Sequence, residues 1–471
     1  MSPRSSCVTR GMDGRGALRG GRRPNGRAQS AGQVLILVAS LLAPLLAWAD
    51  DSAKAAEASG EAWAIHAQTT FVDQGTLAFR SPYRGANSLD PGARGRETFD
   101  ATLYAGVRPW KGAEIWIDPE IDQGFGLSNT LGVAGFPSGE AYKVGRSSPY
   151  VRLQRLLFRQ TVNLGGPGKA VDPDLNQFGG ERNANRLTFT VGKFSVGDIF
   201  DANDYAHDPR RDFLNWSLID TGTFDYAADA WGYSYGAAAE WYAGRWALRA
   251  GVFDLSTVPN SERLETDFSQ FQTDLELEER HQLAGRPGKI AITGFLSRGR
   301  MGRFADAIRT AQFSGLPANI AAVRRYQSRA GASFNLQQEI ADGIGVFARA
   351  GLAGGAVEPY EFSDIDQTIA AGASLNGKRW GRPADTVAFA GVVNGISRIH
   401  QRFLDAGGLG ILVGDGRLPR PGAERIVETY YTLGLDKRLQ VTFDYQFIQN
   451  PAYNRDRGPV SVLAVRLHGE F

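Results

Sequence analysis

A single cysteine, Cys7, stands in the whole chain of 471 residues. One thiol cannot close an intrachain bridge, so a small disulfide-stapled fold is excluded. Long apolar runs are also missing after residue 50, where charges or glycine interrupt each hydrophobic stretch. A transmembrane helix needs about 20 apolar residues, so a helical membrane bundle is excluded too. Neither sign of charge is in excess, with 52 Lys and Arg against 50 Asp and Glu. Neither an internal repeat nor a separate plug domain is visible, and a plugged, energy-coupled transporter would need a longer chain.

The first 49 residues differ from the rest. They hold Arg4, Arg10, Arg15, Arg19, Arg22, Arg23 and Arg27 with one acid, Asp13. An apolar run from Val34 to Ala47 follows, broken only by Ser40 and Pro44, and it ends in Ala47-Trp48-Ala49. A basic region, a short apolar core and small residues at the end are the parts of a secretory signal peptide, here residues 1–49. The run is too short to span a bilayer comfortably. The Arg22-Arg23 pair lacks the hydrophobic context of a twin-arginine signal, and Met12 is an alternative start to Met1. Removing this leader takes away seven basic residues and one acid, which leaves a net charge of about −4 and no cysteine. A nucleic-acid partner then has no support. Stability must come from elsewhere, and a closed hydrogen-bonded barrel in lipid is one such route.

What recurs in residues 63–471, after a linker at 50–62, is alternation with a period of two. Phe99, Ala101, Leu103, Ala105 and Val107 alternate with Asp100, Thr102, Tyr104, Gly106 and Arg108. Ala113, Ile115, Ile117 and Ile121 alternate with Glu114, Trp116, Asp118, Glu120 and Asp122. The same holds for Trp246 to Val252 and for Val441 to Phe447. One apolar face against one polar face over about ten residues is the signature of a transmembrane β-barrel. A soluble β-protein alternates too, but the closely spaced acids of 114–122 suit a wet lumen. Aromatics near strand ends (Trp231, Tyr233, Tyr235, Trp241, Tyr242, Trp246, Tyr430, Tyr431, Tyr445) suit interfacial girdles. About sixteen strands are expected from 63–72 to 460–470, among them 150–164, 186–196 and 226–243. The fold class is therefore all-β, an antiparallel transmembrane barrel. Tight turns at 108/112, 243/244, 340/343 and 435/438 mark the periplasmic side. Long connections at 123–149, 197–225, 299–325 and 396–423 lie outside or fold into the lumen. Leu463, Val465 and Leu467 step at twos toward the terminal Phe471, resembling the signal that barrel assembly machinery reads.

Three blocks resemble a known family. The stretch Gly192 to Tyr205, continued by Asp208 to Trp216, is similar to the carbohydrate-selective porins of the OprB type. So are Tyr445 to Asn454 with Arg457 to Val460, and Glu279-Arg280 before Gly285 to Lys289. The resemblance implies a sixteen-stranded barrel, diffusion of monosaccharides, and a constriction of charged and aromatic side chains.

Sugar hydroxyls donate and accept, so charged lumen groups can replace part of their hydration. The candidate constriction residues are Glu114, Trp116, Asp118, Glu120 and Asp122, with Trp116 offering a flat face to the ring. The long connection adds Asp198, Asp201, Asp204, Arg210 and Arg211, and the inward reach of the two arginines follows from the resemblance and the loop length. Asp201, Asn203 and Asp204 have calcium-like spacing but lack the glycine and distal glutamate of a calcium loop. No metal, cofactor or catalytic residue is expected. His66, His207, His281, His400 and His468 are scattered, with no G-x-S-x-G, zinc or phosphate-loop motif. The reading is a porin of the bacterial outer membrane for carbohydrates and similar small polar solutes. The alternative is a barrel that binds or exports a polysaccharide or another ligand. Its partners are carbohydrate, outer-membrane lipid and the assembly machinery, as a monomer or homotrimer. Small residues at Ala47 and Ala49 fit the signal peptidase. Mass spectrometry of the outer-membrane form should find Asp50 as the first residue, and retention of Val34 to Ala47 would refute this.

Overall fold

The structure, a computed structural model, describes residues 61–92, 95–141 and 145–471. The expected signal peptide and nearly all of the 50–62 linker lie outside the described residues. The strands are β1 Trp63–Thr76, β2 Arg96–Val107, β3 Ala113–Gly124, β4 Arg146–Val171, β5 Gly180–Phe194 and β6 Ser234–Ala243. Next come β7 Trp246–Asp254, β8 Phe271–Leu283, β9 Arg286–Met301, β10 Arg325–Ala341 and β11 Ile344–Ala353. The last are β12 Gln367–Asn376, β13 Thr386–Gly395, β14 Glu424–Gly434, β15 Leu439–Gln449 and β16 Val460–Glu470. Each pairs antiparallel with the next, and β1 closes on β16 in a register from Gln68↔Glu470 to Thr76↔Val462. Closure leaves no open edge, which a sheet crossing hydrocarbon requires. Among the described residues no helix is long and apolar enough to cross a membrane.

The period-two pattern sorts the side chains as a barrel in lipid demands. Asp100, Thr102, Tyr104, Asp118, Glu120 and Asp122 are buried, whereas Leu103, Val107, Ile115, Ile117 and Ile121 are exposed. Exposed apolar residues over buried acids invert the arrangement of a soluble protein. Trp63, Trp110, Trp241 and Trp246 stand outward near the short-turn end of the barrel. Those turns use backbone that suits the strand twist: Ala284 and Gly285, between β8 and β9, have φ of 52° and 77°.

Two expectations need correction. The segment 226–243 is a strand only from Ser234, and Trp231, Tyr233, Tyr242 and Tyr430 are buried inside. Only Tyr235, Trp241, Trp246 and Tyr445 of that aromatic set are exposed on the outer face. The reason is parity: Tyr242 neighbours the outward Trp241, and 226–233 belongs to a connection folded into the lumen. The strands expected at 150–164 and 186–196 are longer, reaching Val171 and starting at Gly180. Gly165 and Gly166, with φ of 93° and 83°, sit at register shifts in this hairpin. Its tip then returns to the barrel wall, where Asn176 Nδ2 donates to Asp118 at 3.0 Å and the Phe178 ring lies 4.7 Å from Trp116.

The connection from β5 to β6 fills the lumen, and wall side chains hold its backbone. Glu428 on β14 accepts from the Leu214 and Asn215 N–H groups at 2.5 and 3.0 Å. Arg466 on β16 donates to the carbonyls of Pro209, Arg211 and Asp212 at 2.6, 2.9 and 2.8 Å. Arg349 on β11 donates to the Leu218 carbonyl at 2.5 Å and to that of Asp201 at 3.1 Å. Arg466→Met would orphan buried carbonyls, each worth about 1–3 kcal/mol. Proteolysis within 195–233 should rise and open-channel noise should increase, with the heat-modifiable barrel band unchanged. At the other rim, Phe471 and Ala67 exchange two backbone hydrogen bonds of 2.8 Å across the closing seam. Deleting Phe471 should lower outer-membrane levels while export continues, which fractionation and blotting would read. Normal levels would remove that role.

Candidate functional site

One turn of the in-folded connection meets the acids of β2 and β3. Asp208-Pro209 opens the turn: the Asp208 carbonyl accepts from the N–H groups of Arg211 at 3.1 Å and Asp212 at 2.7 Å. The Asp208 side chain accepts from the Arg210 N–H at 2.9 Å. Aspartate at the first position and proline at the second are what such a turn favours. Burial opposes the Asp208 charge, but the Arg210 guanidinium and N–H outweigh it and hold the carboxyl below its usual range. The turn aims Arg210 into the lumen. Its Nη2 lies 3.0 Å from Glu120 and 3.4 Å from Asp100, and its Nε lies 3.2 Å from Glu140. Thr102 and Gln154 complete Glu120, donating at 2.5 and 2.8 Å. A buried guanidinium survives only with such partners, because desolvation costs several kcal/mol per ion.

A second group faces it. Arg155 on β4 grips Asp198 with two hydrogen bonds, Nε at 2.8 Å and Nη2 at 2.6 Å, and lies 3.7 Å from Asp118. Asp198 stays below the usual carboxylate range because Arg155 overcomes the cost of burying it. Glu114 pairs with Arg159 at 3.2 Å. Between these groups lies a cavity of about 500 Å³ whose lining includes Arg210, Arg155, Asp198, Tyr104, Trp231 and Tyr233. The Trp231 ring is fixed by a 2.9 Å hydrogen bond to Tyr150 and by Arg152, whose guanidinium stacks 3.4 Å from the ring centre.

The structure brings together Glu120, Asp118, Asp198 and Arg210, with Glu114 close behind. Asp122 is buried in the same wall. Trp116 offers no open face: it is 0% exposed, covered by Phe178 and backed by Gly106. A Cβ at Gly106 would come within 2.6 Å of the Trp116 ring, so the wall itself is shaped around that side chain. Arg211 turns away from the cavity to an ion pair with Glu470 on β16 and lies 3.8 Å from Asp174. Asp204 too lies outside the lining of the cavity. It accepts from Gln337 Nε2 at 2.6 Å and tethers the connection to β10. Asp201 does similar work, accepting from the Thr221 N–H at 2.6 Å and Asn335 Nδ2 at 2.9 Å. Among the described residues no acid, histidine and cysteine cluster could hold a metal.

Sequence reasoning missed Asp100, Glu140, Arg155, Trp231 and Tyr233 as site residues. Asp100 was visible in the alternation, one strand away from the chosen acids. Arg152 and Arg155 break the period of two because a bulge separates them: Pro119 pairs with Leu153, yet Asp118 pairs with Arg155. The extra residue lets both arginines turn toward the inside.

A family model described as carbohydrate-selective porin, OprB family, matches residues 86–471. No curated protein sequence matches the chain. Among solved structures, the high-pH form of Pseudomonas putida OprB has a TM-score of 0.65 at 16% identity, over 87% of this chain and 94% of that one. The low-pH form of that protein has a TM-score of 0.47 at 13% identity, over 87% and 93%. The outer membrane channel DcaP of Acinetobacter baumannii has 0.49 at 9% identity, over 88% and 98%. The first of these shows a shared barrel fold. With a family match running from the first long connection to the final phenylalanine, the chain belongs to the OprB family of carbohydrate-selective porins.

Proposed function

We propose that the narrowing around Arg210 selects single sugar rings as they diffuse through this carbohydrate porin into the periplasm. The observation that carries the reading is the Arg210 cluster itself, in which Arg210 and Glu140 line the cavity while Asp100 and Glu120 back Arg210 from two strands. Fixed carboxylates accept from hydroxyls, and guanidinium N–H groups donate to them. The Trp231 and Tyr233 rings at the same cavity suit the C–H face of a pyranose. A cavity of about 500 Å³ favours small solutes, and weak, distributed contacts allow exit. The reading includes delivery to the outer membrane after loss of residues 1–49, with insertion by the barrel assembly machinery.

Planar-bilayer recordings test the assignment. Arg210→Ala removes the positive charge at the narrowing, so the reversal potential in a salt gradient should shift toward cation preference. Arg211→Ala should leave it nearly unchanged, because Arg211 sits against Glu470. Trp231→Ala should weaken the block of ion current by glucose with open conductance little altered. Unchanged selectivity and unchanged glucose block in these variants would place the selective site elsewhere.

A further inference from the structure

The arginines lining the cavity divide into two kinds. Arg155 and Arg210 carry carboxylates of their own, and Arg159 is matched by Glu114. Arg182 and Arg186, which line the same cavity from β5, have no carboxylate within ion-pair distance among the described residues. Arg186 donates only to the Asn183 carbonyl, at 3.1 Å, and its guanidinium lies 3.5 Å from the centre of the Tyr242 ring. The acid on that side, Glu240, is already engaged by Arg249 at 3.3 Å and by the Tyr242 hydroxyl at 2.6 Å.

Position gives this surplus a direction. Arg182 and Arg186 are four residues apart, so they share the inward face of β5 with Thr188 and Thr190, spaced by about 13 Å along the strand. They lie toward the end where β5 begins, the short-turn end of the barrel, and a solute leaving the Arg210 narrowing meets them next. Low-dielectric walls focus uncompensated positive charge along the path of a solute. A guanidinium already held against an aromatic ring has little freedom left to lose on binding. Its planar fork then matches a carboxylate or phosphate oxygen pair.

We propose that Arg182 and Arg186 form an anion-binding station below the narrowing, and that the pore favours sugars bearing a carboxylate or phosphate over their neutral counterparts. Thr161 and Thr188, whose hydroxyls lie 3.4 Å apart, face the same cavity and offer partners to sugar hydroxyls. This rests on the carbohydrate-pore reading and names the class of carbohydrate.

The test compares D-glucuronate, glucose 6-phosphate, glucose and inorganic phosphate as blockers of ion current through the purified barrel in planar bilayers. Glucuronate or glucose 6-phosphate should half-block the wild-type channel at a concentration about fivefold or more below that of glucose. Whichever of the two is stronger assigns the station to carboxylate or to phosphate. The Arg182→Gln, Arg186→Gln double variant should lose that preference and keep its glucose block. Equal block of the wild type by acidic and neutral sugars would overturn the proposal, and this arm needs no variant to fold. A preference that survives in the folded double variant would also overturn it. Inorganic phosphate blocking as strongly as either acidic sugar would reduce the station to a bare anion site and overturn sugar recognition. Failure of the pore reading looks different, since neither glucose nor any acidic sugar would then block.

Discussion

Backbone groups of the in-folded connections must be satisfied inside a barrel whose wall has already used its own in the sheet. The barrel answers with charged side chains. Glu428 and Glu424 accept loop N–H groups, the latter from Ala134, Gly135 and Ala452. Arg466 and Arg349 donate to loop carbonyls, and Asp225 accepts from the N–H groups of Glu361, Phe362 and Ser363. Neither side would be tolerable alone. A buried ion costs several kcal/mol, and a buried unpaired amide group about 1–3 kcal/mol. Together they cancel much of each other's penalty, and the path of the connection is fixed from both sides. The Arg210 turn is one span of that connection, so its placement depends on Arg466 and Glu428.

The wall was legible because lipid and lumen impose opposite demands on alternate residues. Ile115, Ile117 and Ile121 against Asp118, Glu120 and Asp122 admit one orientation, and the structure has it. Where that contrast lapses, so did the reading. Residues 164–170 of β4 are all exposed, so they carry no two-sided pattern although they are strand. Trp231 and Tyr233 look like girdle residues by composition, yet they precede β6 and turn inward.

The site was half legible. The acids of β3 were found because they sit on a regular strand, and Arg210 because its block resembles a family. Trp116 shows the limit of the first argument: parity places a side chain inside the barrel and is silent on whether Phe178 covers it. Arg211 shows the limit of the second, since adjacent arginines in one turn point to different partners, Glu120 and Glu470. Glu140 comes from a connection with no periodicity to betray it, and Arg155 from a strand whose bulge hides its face.

The anchors of the 195–233 connection have a chronology. The connection lies near the middle of the chain, whereas Glu428, Gln446 and Arg466, which hold it, arrive with β14, β15 and β16. Those three strands are also the last to be made, and β16 is the one that seals the cylinder against β1. Until they are in place, the chain from Pro209 to Asn215 has the Arg210 contacts to β2 and β3 to lean on. The backbone of the Arg210 turn therefore receives its last hydrogen-bond partners from the same strands that close the barrel.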